Sequence, residues 1–445
     1  MQYGDSGRFQ LYLRETSGSW HRLSQYDDQL VQASFIDEDT LLVLSRASAP
    51  RGKFMRMDIS ALPETRLEAM IAETGVAFAS DFYGDPTFIV HRDRIYAKTL
   101  SGGPQDLQVF DLHGQQKPGP GLSVSGVGQI VPWDDGVMVR HRSYLAPNSW
   151  LLFDGSQTTR HPLSSTSAVD FSDYKVVREF ATSLDGTKIP VNIILSKDAV
   201  LDGSNPLLLT GYGGYGISLA PGFNPTLKAW LEQGGIYAQA NLRGGGEYGE
   251  DWHQEGMLTR KQNVFDDFHA VMRHLVEARY TRVSKLAIEG GSNGGLLMGA
   301  MIAQHPTDFR ATISHVGIYD SVRSELSPNG AFNIPEFGTV KNPEHFKALY
   351  AYSPYHNLEK TAYPAILFMT GENDGRVDPM HSRKMTAALQ FANTSGEPVL
   401  LRTSGNTGHG SGTPLKEAIS QQVDRLVFLF DSLGMQYKVP ATTAE

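Results

Sequence analysis

The hydrophobic grammar of the chain changes near residue 175, and this change confines the sequence to a two-domain fold. Before that point, short apolar strands are broken by turns. They are Phe9–Leu13, Thr40–Leu44, Lys53–Met57, Arg94–Lys98, Leu107–Asp111, Gly136–Arg140 and Trp150–Phe153, separated by Gly/Asp/Ser/Pro clusters. Helical periodicity is convincing only over Pro63–Thr74. Met57-Asp58, Phe110-Asp111 and Phe153-Asp154 close comparable strands. A spacing of about 40–50 residues fits propeller blades, and about 165 residues hold three to four of them. A plain β-sandwich fits the periodicity equally well.

From residue 176 onward strands alternate with helices. Strand-length apolar runs occur at Ile189–Leu195, Pro206–Thr210, Gly235–Ala240, Lys285–Glu289, Ala311–Ser314, Ala365–Thr370 and Val399–Thr403. Helices are expected at Asn263–Ala278, Gly294–Gln304, Pro379–Ala392 and Leu415–Leu433. In the first of these, Val264, Phe268, Val271 and Leu275 recur at helical spacing, with Asp266 and Asp267 in the first turn. The alternation predicts an α/β domain over 176–445, with a mostly parallel sheet covered on both faces, behind an all-β domain over 1–175. Pro440 to Glu445 reads as a frayed tail.

Bulk composition excludes several classes. A length of 445 residues exceeds one ordinary core. The net charge of −9 has no compensating basic block, which argues against nucleic acid or an anionic membrane as partner. With no cysteine, disulfides, thiolate metal sites and thiol nucleophiles are excluded. The histidines show no ligand spacing, so no metal or other cofactor is expected. The first residues lack a signal-peptide pattern and no apolar run is long enough to span a bilayer. A cytoplasmic location is expected, or a periplasmic or secreted one if the native N-terminus is missing.

Gly290-Gly291-Ser292-Asn293-Gly294 fits G-x-S-x-G between a buried strand and a helix, the context of a nucleophile elbow. An ordinary Gly-rich turn is the bland alternative, but the flanking strand and helix favour the elbow. A nucleophilic serine needs a base and an orienting carboxylate, in the chain order Ser, acid, His. Glu372, Asp374 and Asp378 follow the strand at 365–370, and His409 follows that at 399–403. Asp378 precedes Pro379 and reads as a helix cap. Glu372 reads as solvated, which leaves Asp374 favoured by position alone.

Acyl transfer also requires oxyanion donors. The Asn293 N–H is one, and the Gly211–Gly216 loop with Tyr212 is placed to supply another. A flexible glycine turn with two packing aromatics is the competing reading. Gly244–Gly249 also matches G-x-G-x-x-G. It lacks the expected following helix and the acidic residue about 20 positions on, so dinucleotide binding is rejected.

GYGGYG at 211–216, NLRGGGEYG at 241–249, KQNVFDDF at 261–268, GGSNGGLL at 290–297 and SPYHN at 353–357 occur in order. Together they resemble the catalytic domain of the prolyl oligopeptidase family over roughly 176–435. The resemblance implies an α/β-hydrolase domain preceded by a β-propeller. It implies Ser292, Asp374 and His409 as the triad, and the Tyr212 hydroxyl with the Asn293 N–H as the oxyanion hole. It implies that Arg376 binds a substrate carbonyl and that Tyr215, Ile318, Phe337 and Val377 line the pocket. Asn333, with Phe332 adjacent, occupies the position of the family's proline-stacking tryptophan, so strict proline specificity is not expected.

The family's propeller has seven blades, and this chain has room for about half. Open sheet edges are an aggregation hazard, so a homodimer or higher oligomer covering them is expected. The expected function is acyl-enzyme hydrolysis of short peptides. Carboxylesterase action on small or bulky esters is the alternative, and a non-catalytic propeller binding protein the remote one.

Overall fold

The structure is a computed structural model describing residues 1–79, 85–122 and 124–439; the tail expected at 440–445 lies outside the described residues. The chain forms two compact units. One comprises Met1–Asp170, Tyr215–Phe223 and Gly244–Glu255; the other comprises Phe171–Gly214, Asn224–Arg243 and Gly256–Glu445.

In the first unit, β1 (Tyr12–Arg14) and β2 (Trp20–Arg22) pair as a ribbon. Next comes an antiparallel sheet of β3 (Leu30–Phe35), β4 (Thr40–Ser45), β5 (Lys53–Asp58) and β6 (Arg66–Ile71). A second sheet holds β7 (Ala77–Phe78), β8 (Phe88–His91), β9 (Arg94–Leu100), β10 (Gln105–Asp111) and β11 (Gln116–Lys117). The third is β12 (Gly126–Trp133), β13 (Gly136–Arg142), β14 (Ser149–Phe153) and β15 (Thr158–Arg160). Successive side chains of β4 enter opposite clusters: Leu41 and Val43 join Leu30 and Met57, whereas Leu42 and Leu44 join Phe54, Phe88 and Phe110. On β9, Ile95 and Ala97 face that second cluster while Tyr96 packs with Val127, Val137 and Phe153. Sheets buried on both faces by their neighbours are propeller blades, not the two layers of a sandwich.

The helix expected over Pro63–Thr74 is instead strand β6, whose Leu67 is exposed and whose Ile71 reaches the core. Helix propensity is worth only tenths of a kcal/mol per residue. Pairing with β5 satisfies a whole row of backbone groups and outweighs it.

The second unit is built on an eight-stranded sheet of β16 (Tyr174–Thr182), β17 (Lys188–Ser196), β18 (Leu207–Thr210), β19 (Ile236–Ala240), β20 (Leu286–Gly291), β21 (Ala311–His315), β22 (Ala365–Gly371) and β23 (Val399–Ser404). Its order is β16-β17-β19-β18-β20-β21-β22-β23. The β16–β17 and β17–β19 pairs are antiparallel and the remaining pairs parallel. The main helices are Gln262–Glu277, Asn293–Gln304, Pro343–Tyr352, Met380–Ala392 and Leu415–Ser432. The loops after β18, β20, β21, β22 and β23 therefore leave one edge of the sheet, the edge that carries ligands in such folds.

Helix Gln262–Glu277 starts early enough that Asp266 and Asp267 fall beyond its first turn. Asp267 does not serve the helix dipole. It is fully buried, accepting the Ser183 hydroxyl (2.6 Å), the Arg243 amide (3.2 Å) and the Arg243 guanidinium. A short helix, Glu250–Gln254, does begin directly after Gly249, contrary to the sequence reading. With five residues it offers little macrodipole, and the preceding glycines are packed by the chain itself: a Cβ on Gly246 would lie 2.6 Å from the Gly216 carbonyl oxygen. Among the described residues no helix is long and apolar enough to cross a membrane.

Candidate active site

Ser292 stands between β20 and helix Asn293–Gln304 at φ 59°, ψ −117°. Such a conformation in a non-glycine residue costs about 1–3 kcal/mol and persists only where the surroundings enforce it. Here the Ser292 N–H donates to the His315 carbonyl (2.8 Å), and the Ser292 carbonyl accepts from the amides of Gly295 (2.9 Å) and Leu296 (3.0 Å). The turn closes only because its neighbours lack side chains. A Cβ on Gly290 would sit 2.4 Å from the Gly294 carbonyl oxygen, and one on Gly295 would sit 2.5 Å from Gly317 Cα.

Two loops from the same sheet edge bring an acid and a base together. His409 Nδ1 lies 2.7 Å from Asp374 Oδ2, and the carboxylate is fully buried. The other oxygen of Asp374 accepts the N–H groups of Arg376 and Val377, each at 2.9 Å. With Oδ1 occupied by two amides, Oδ2 is left to accept from Nδ1–H, which leaves Nε2 as the proton acceptor of the imidazole. The loops are zipped by Glu372 N–H to Ser404 O (2.9 Å), Asn373 N–H to Thr407 O (3.1 Å) and Asn373 Nδ2 to Gly405 O (2.8 Å). Of the other two acids, Glu372 is exposed, whereas Asp378 accepts the Met380 N–H (2.9 Å) at the helix start.

The loop after β18, strand neighbour of β20, carries Tyr212. Its carbonyl accepts Asn293 Nδ2 at 2.6 Å, so the residue after Ser292 holds the tyrosine loop directly. Gly214 fits because a Cβ there would lie 2.6 Å from that same amide nitrogen. An amide donor on Asn293 and a half-buried tyrosine on a fixed loop are the parts from which an oxyanion hole is made.

The sequence model of the prolyl oligopeptidase family matches residues 221–436. The prolyl oligopeptidase ophP of Omphalotus olearius is 36% identical over 390 residues, covering 84% of this chain and 51% of that protein. The prolyl endopeptidase of Elizabethkingia meningoseptica is 33% identical over 419 residues, covering 92% of this chain and 58% of that one. The chain belongs to the prolyl oligopeptidase family. It spans about half the length of the curated relatives it matches. A solved prolyl endopeptidase superposes with a TM-score of 0.88 at 34% identity, covering 97% of this chain and 64% of that one. Prolyl oligopeptidase B from Galerina marginata, bound to a 35mer hydrolysis and macrocyclization substrate, gives 0.90 at 26% identity, covering 98% and 63%.

In this prolyl oligopeptidase family member the expected pocket residues Ile318, Phe337 and Val377 are buried in the second unit, on loops or short turns beyond β21 and β22. Tyr215 is buried within the first unit, at φ 60°. Arg376 directly precedes Val377 and is partly exposed. Asn333 is buried in a short turn, its Nδ2 donating to Asn329 O (3.4 Å), whereas the adjacent Phe332 is exposed.

Several supporting groups escaped the sequence reading because their partners lie far apart in the chain. Glu289, on β20, binds Arg425 (Oε1 to Nε, 2.6 Å) and His315 (Oε1 to Nε2, 2.8 Å). Burial alone would raise its carboxyl, but Arg425 and His315 hold it well below the usual carboxylate range. The loop carrying Ile318 is held by His381, whose Nδ1 accepts the N–H groups of Tyr319 (3.3 Å) and Asp320 (3.1 Å). Buried Asp320 is in turn paired with Lys384 and Arg323. Burial pulls His381 down to about 4, so it stays neutral and able to accept at neutral pH. Lys261, heading the KQNVFDDF segment, is buried as well.

The fold also gathers His269, His305 and Asp308, whose donor atoms all lie within 4.8 Å of one another. Linear spacing does not reveal this group. His269 Nε2 is hydrogen-bonded to Asp308 Oδ2 (2.8 Å), and the two imidazoles stack with centroids 3.6 Å apart. His305 Nδ1 stands 3.9 Å from the same carboxylate oxygen.

Proposed function

We propose that the chain cleaves peptide bonds of short peptides through an acyl-enzyme. The observation carrying this reading is the Asp374–His409 pair, its carboxylate locked by two backbone amides, on the same sheet edge as the strained Ser292. In the proposed cycle His409 Nε2 takes the Ser292 hydroxyl proton as Oγ attacks the scissile carbonyl. The Tyr212 hydroxyl and the Asn293 N–H stabilise the resulting oxyanion. Collapse breaks the C–N bond, and His409 delivers its proton to the leaving amine. Water, deprotonated by His409, then attacks the acyl carbon; the C–Oγ bond breaks, His409 returns the proton to Ser292 Oγ, and the acid leaves.

Arg376 supplies the charged donor for a substrate backbone carbonyl, which favours peptides over simple esters. Ile318, Phe337 and Val377 form the apolar wall for the residue before the scissile bond. With Asn333 in place of an aromatic platform, proline is accepted but not required. A homodimer or higher oligomer covering the propeller edges belongs to the same proposal. A monomer by light scattering at micromolar concentration removes that part.

The test is a panel of proline and non-proline peptides beside short-chain aryl esters, with Ser292→Ala as control, together with fluorophosphonate labelling. Serine-dependent turnover of both peptide classes is expected. Absence of labelling on folded protein overturns the reading, and turnover of esters alone makes the chain an esterase.

A further inference from the structure

The oxyanion loop and the Phe337 segment share one buried charge. Lys261 has no exposed side-chain surface. Its Nζ donates to Gly213 O at 3.0 Å and to Glu336 Oε1 at 2.9 Å, and it lies 5.2 Å from the centroid of the Phe337 ring. Gly213 is held from a second side too, since a Cβ there would lie 2.3 Å from Val264 Cγ1 on the helix that Lys261 leads. The preceding carbonyl, of Tyr212, is taken by Asn293. Two successive carbonyls of the tyrosine loop are thus anchored, one by the residue after the nucleophile and one by Lys261. Glu336, itself buried, adjoins Phe337 in the chain.

We propose that Lys261 is a positioning residue: its ammonium sets the Tyr212 loop against Asn293 and ties it, through Glu336, to the wall of the substrate pocket. This rests on the reading of Tyr212 as an oxyanion donor. A charge-assisted bond to Gly213 O fixes the loop more firmly than a neutral contact. Oxyanion donors act only when held at the position where charge develops, and a shift of about 1 Å costs on the order of a hundredfold in rate. Lys261 does not touch the substrate in this scheme, so its removal acts on kcat through Tyr212.

The experiment is a double-mutant cycle with a peptide substrate. Replacing Lys261 alone takes the ammonium counter-charge from the buried Glu336 carboxylate, which threatens folding. The pair is therefore neutralised together as Lys261→Met/Glu336→Gln, in the native protein and in the Tyr212→Phe background, with kcat, KM and the thermal midpoint measured for each. The expected result is a kcat loss of about 10- to 100-fold with Tyr212 present and less than about 3-fold in the Tyr212→Phe background.

Equal losses in both backgrounds, or none in either, overturn the proposal. If the double variant does not fold, Lys261→Arg takes its place. It keeps the charge but moves the donors, and the same non-additivity is expected. Wild-type protein lacking Ser292-dependent turnover overturns the proposed function itself. Wild-type activity that Tyr212→Phe leaves unchanged overturns the oxyanion assignment and this inference, but not the serine chemistry.

Discussion

Arg425 grips Glu289 through two nitrogens, Nε to Oε1 at 2.6 Å and a terminal nitrogen to Oε2 at 2.5 Å, so the helix Leu415–Ser432 is bolted to the strand that leads into Ser292. Both side chains are largely buried. Breaking such a pair from one side leaves the buried Glu289 carboxylate without its guanidinium and costs about 3–5 kcal/mol. Arg425→Met is therefore expected to lose about that much stability in urea unfolding, with loss of fluorophosphonate labelling as the elbow loosens. A loss below about 1 kcal/mol counts against this account.

Asp374→Asn tests the tautomer argument. The two amides at Oδ1 demand an acceptor, so an asparagine there turns its NH₂ toward His409 Nδ1 and forces the proton to Nε2. The imidazole then has no free base toward the serine. A kcat about four orders of magnitude below wild type is expected at unchanged fold, as for the equivalent change in other triads. A loss of less than tenfold is incompatible with Asp374 as the orienting acid.

Arg376→Ala separates peptide from ester chemistry. A charged hydrogen bond to a substrate backbone carbonyl is worth about 1.5–3 kcal/mol. Its removal is expected to raise KM for peptides about 10- to 100-fold while leaving a short aryl ester, which lacks that carbonyl, unaffected. Equal effects on both substrates place Arg376 outside the binding step.

His381 makes stability depend on pH. Its folded value of about 4 lies below the ordinary 6.5, because burial disfavours the imidazolium. The unfolded chain binds a proton near pH 6.5 and the folded one does not until about 4. Stability present above pH 6.5 is therefore lost progressively as pH falls toward 4, by about 3 kcal/mol. In His381→Gln, which keeps an acceptor for the Tyr319 and Asp320 amides, the difference in urea-derived stability between pH 7 and pH 4.5 is expected to shrink by about 2 kcal/mol. An unchanged difference means that other groups carry the pH dependence.

Features that depend on near neighbours in the chain were legible from the residues. The glycine-flanked Ser292 between a strand and a helix, the chain order of serine, acid and histidine, and Asp378 at its helix start all follow from local backbone chemistry. Where a distant partner competes with local preference, the reading failed. Pro63–Thr74 has the composition of a helix, yet the open edge of β5 recruits it as a strand. Asp267 carries the charge of a helix start, yet Arg243 and Ser183 draw it into the core.

The sequence by itself determined the two-part architecture and the serine at its elbow, because strand, turn and helix signals act over a few residues. The pairing of Asp374 with His409, the anchoring of the Tyr212 loop by Asn293 and Lys261, and the clamp on Glu289 were decided only by tertiary structure. Each rests on a hydrogen bond or ion pair between groups dozens to more than a hundred positions apart. Buried charges of that kind find their partners only once the sheet has placed them side by side.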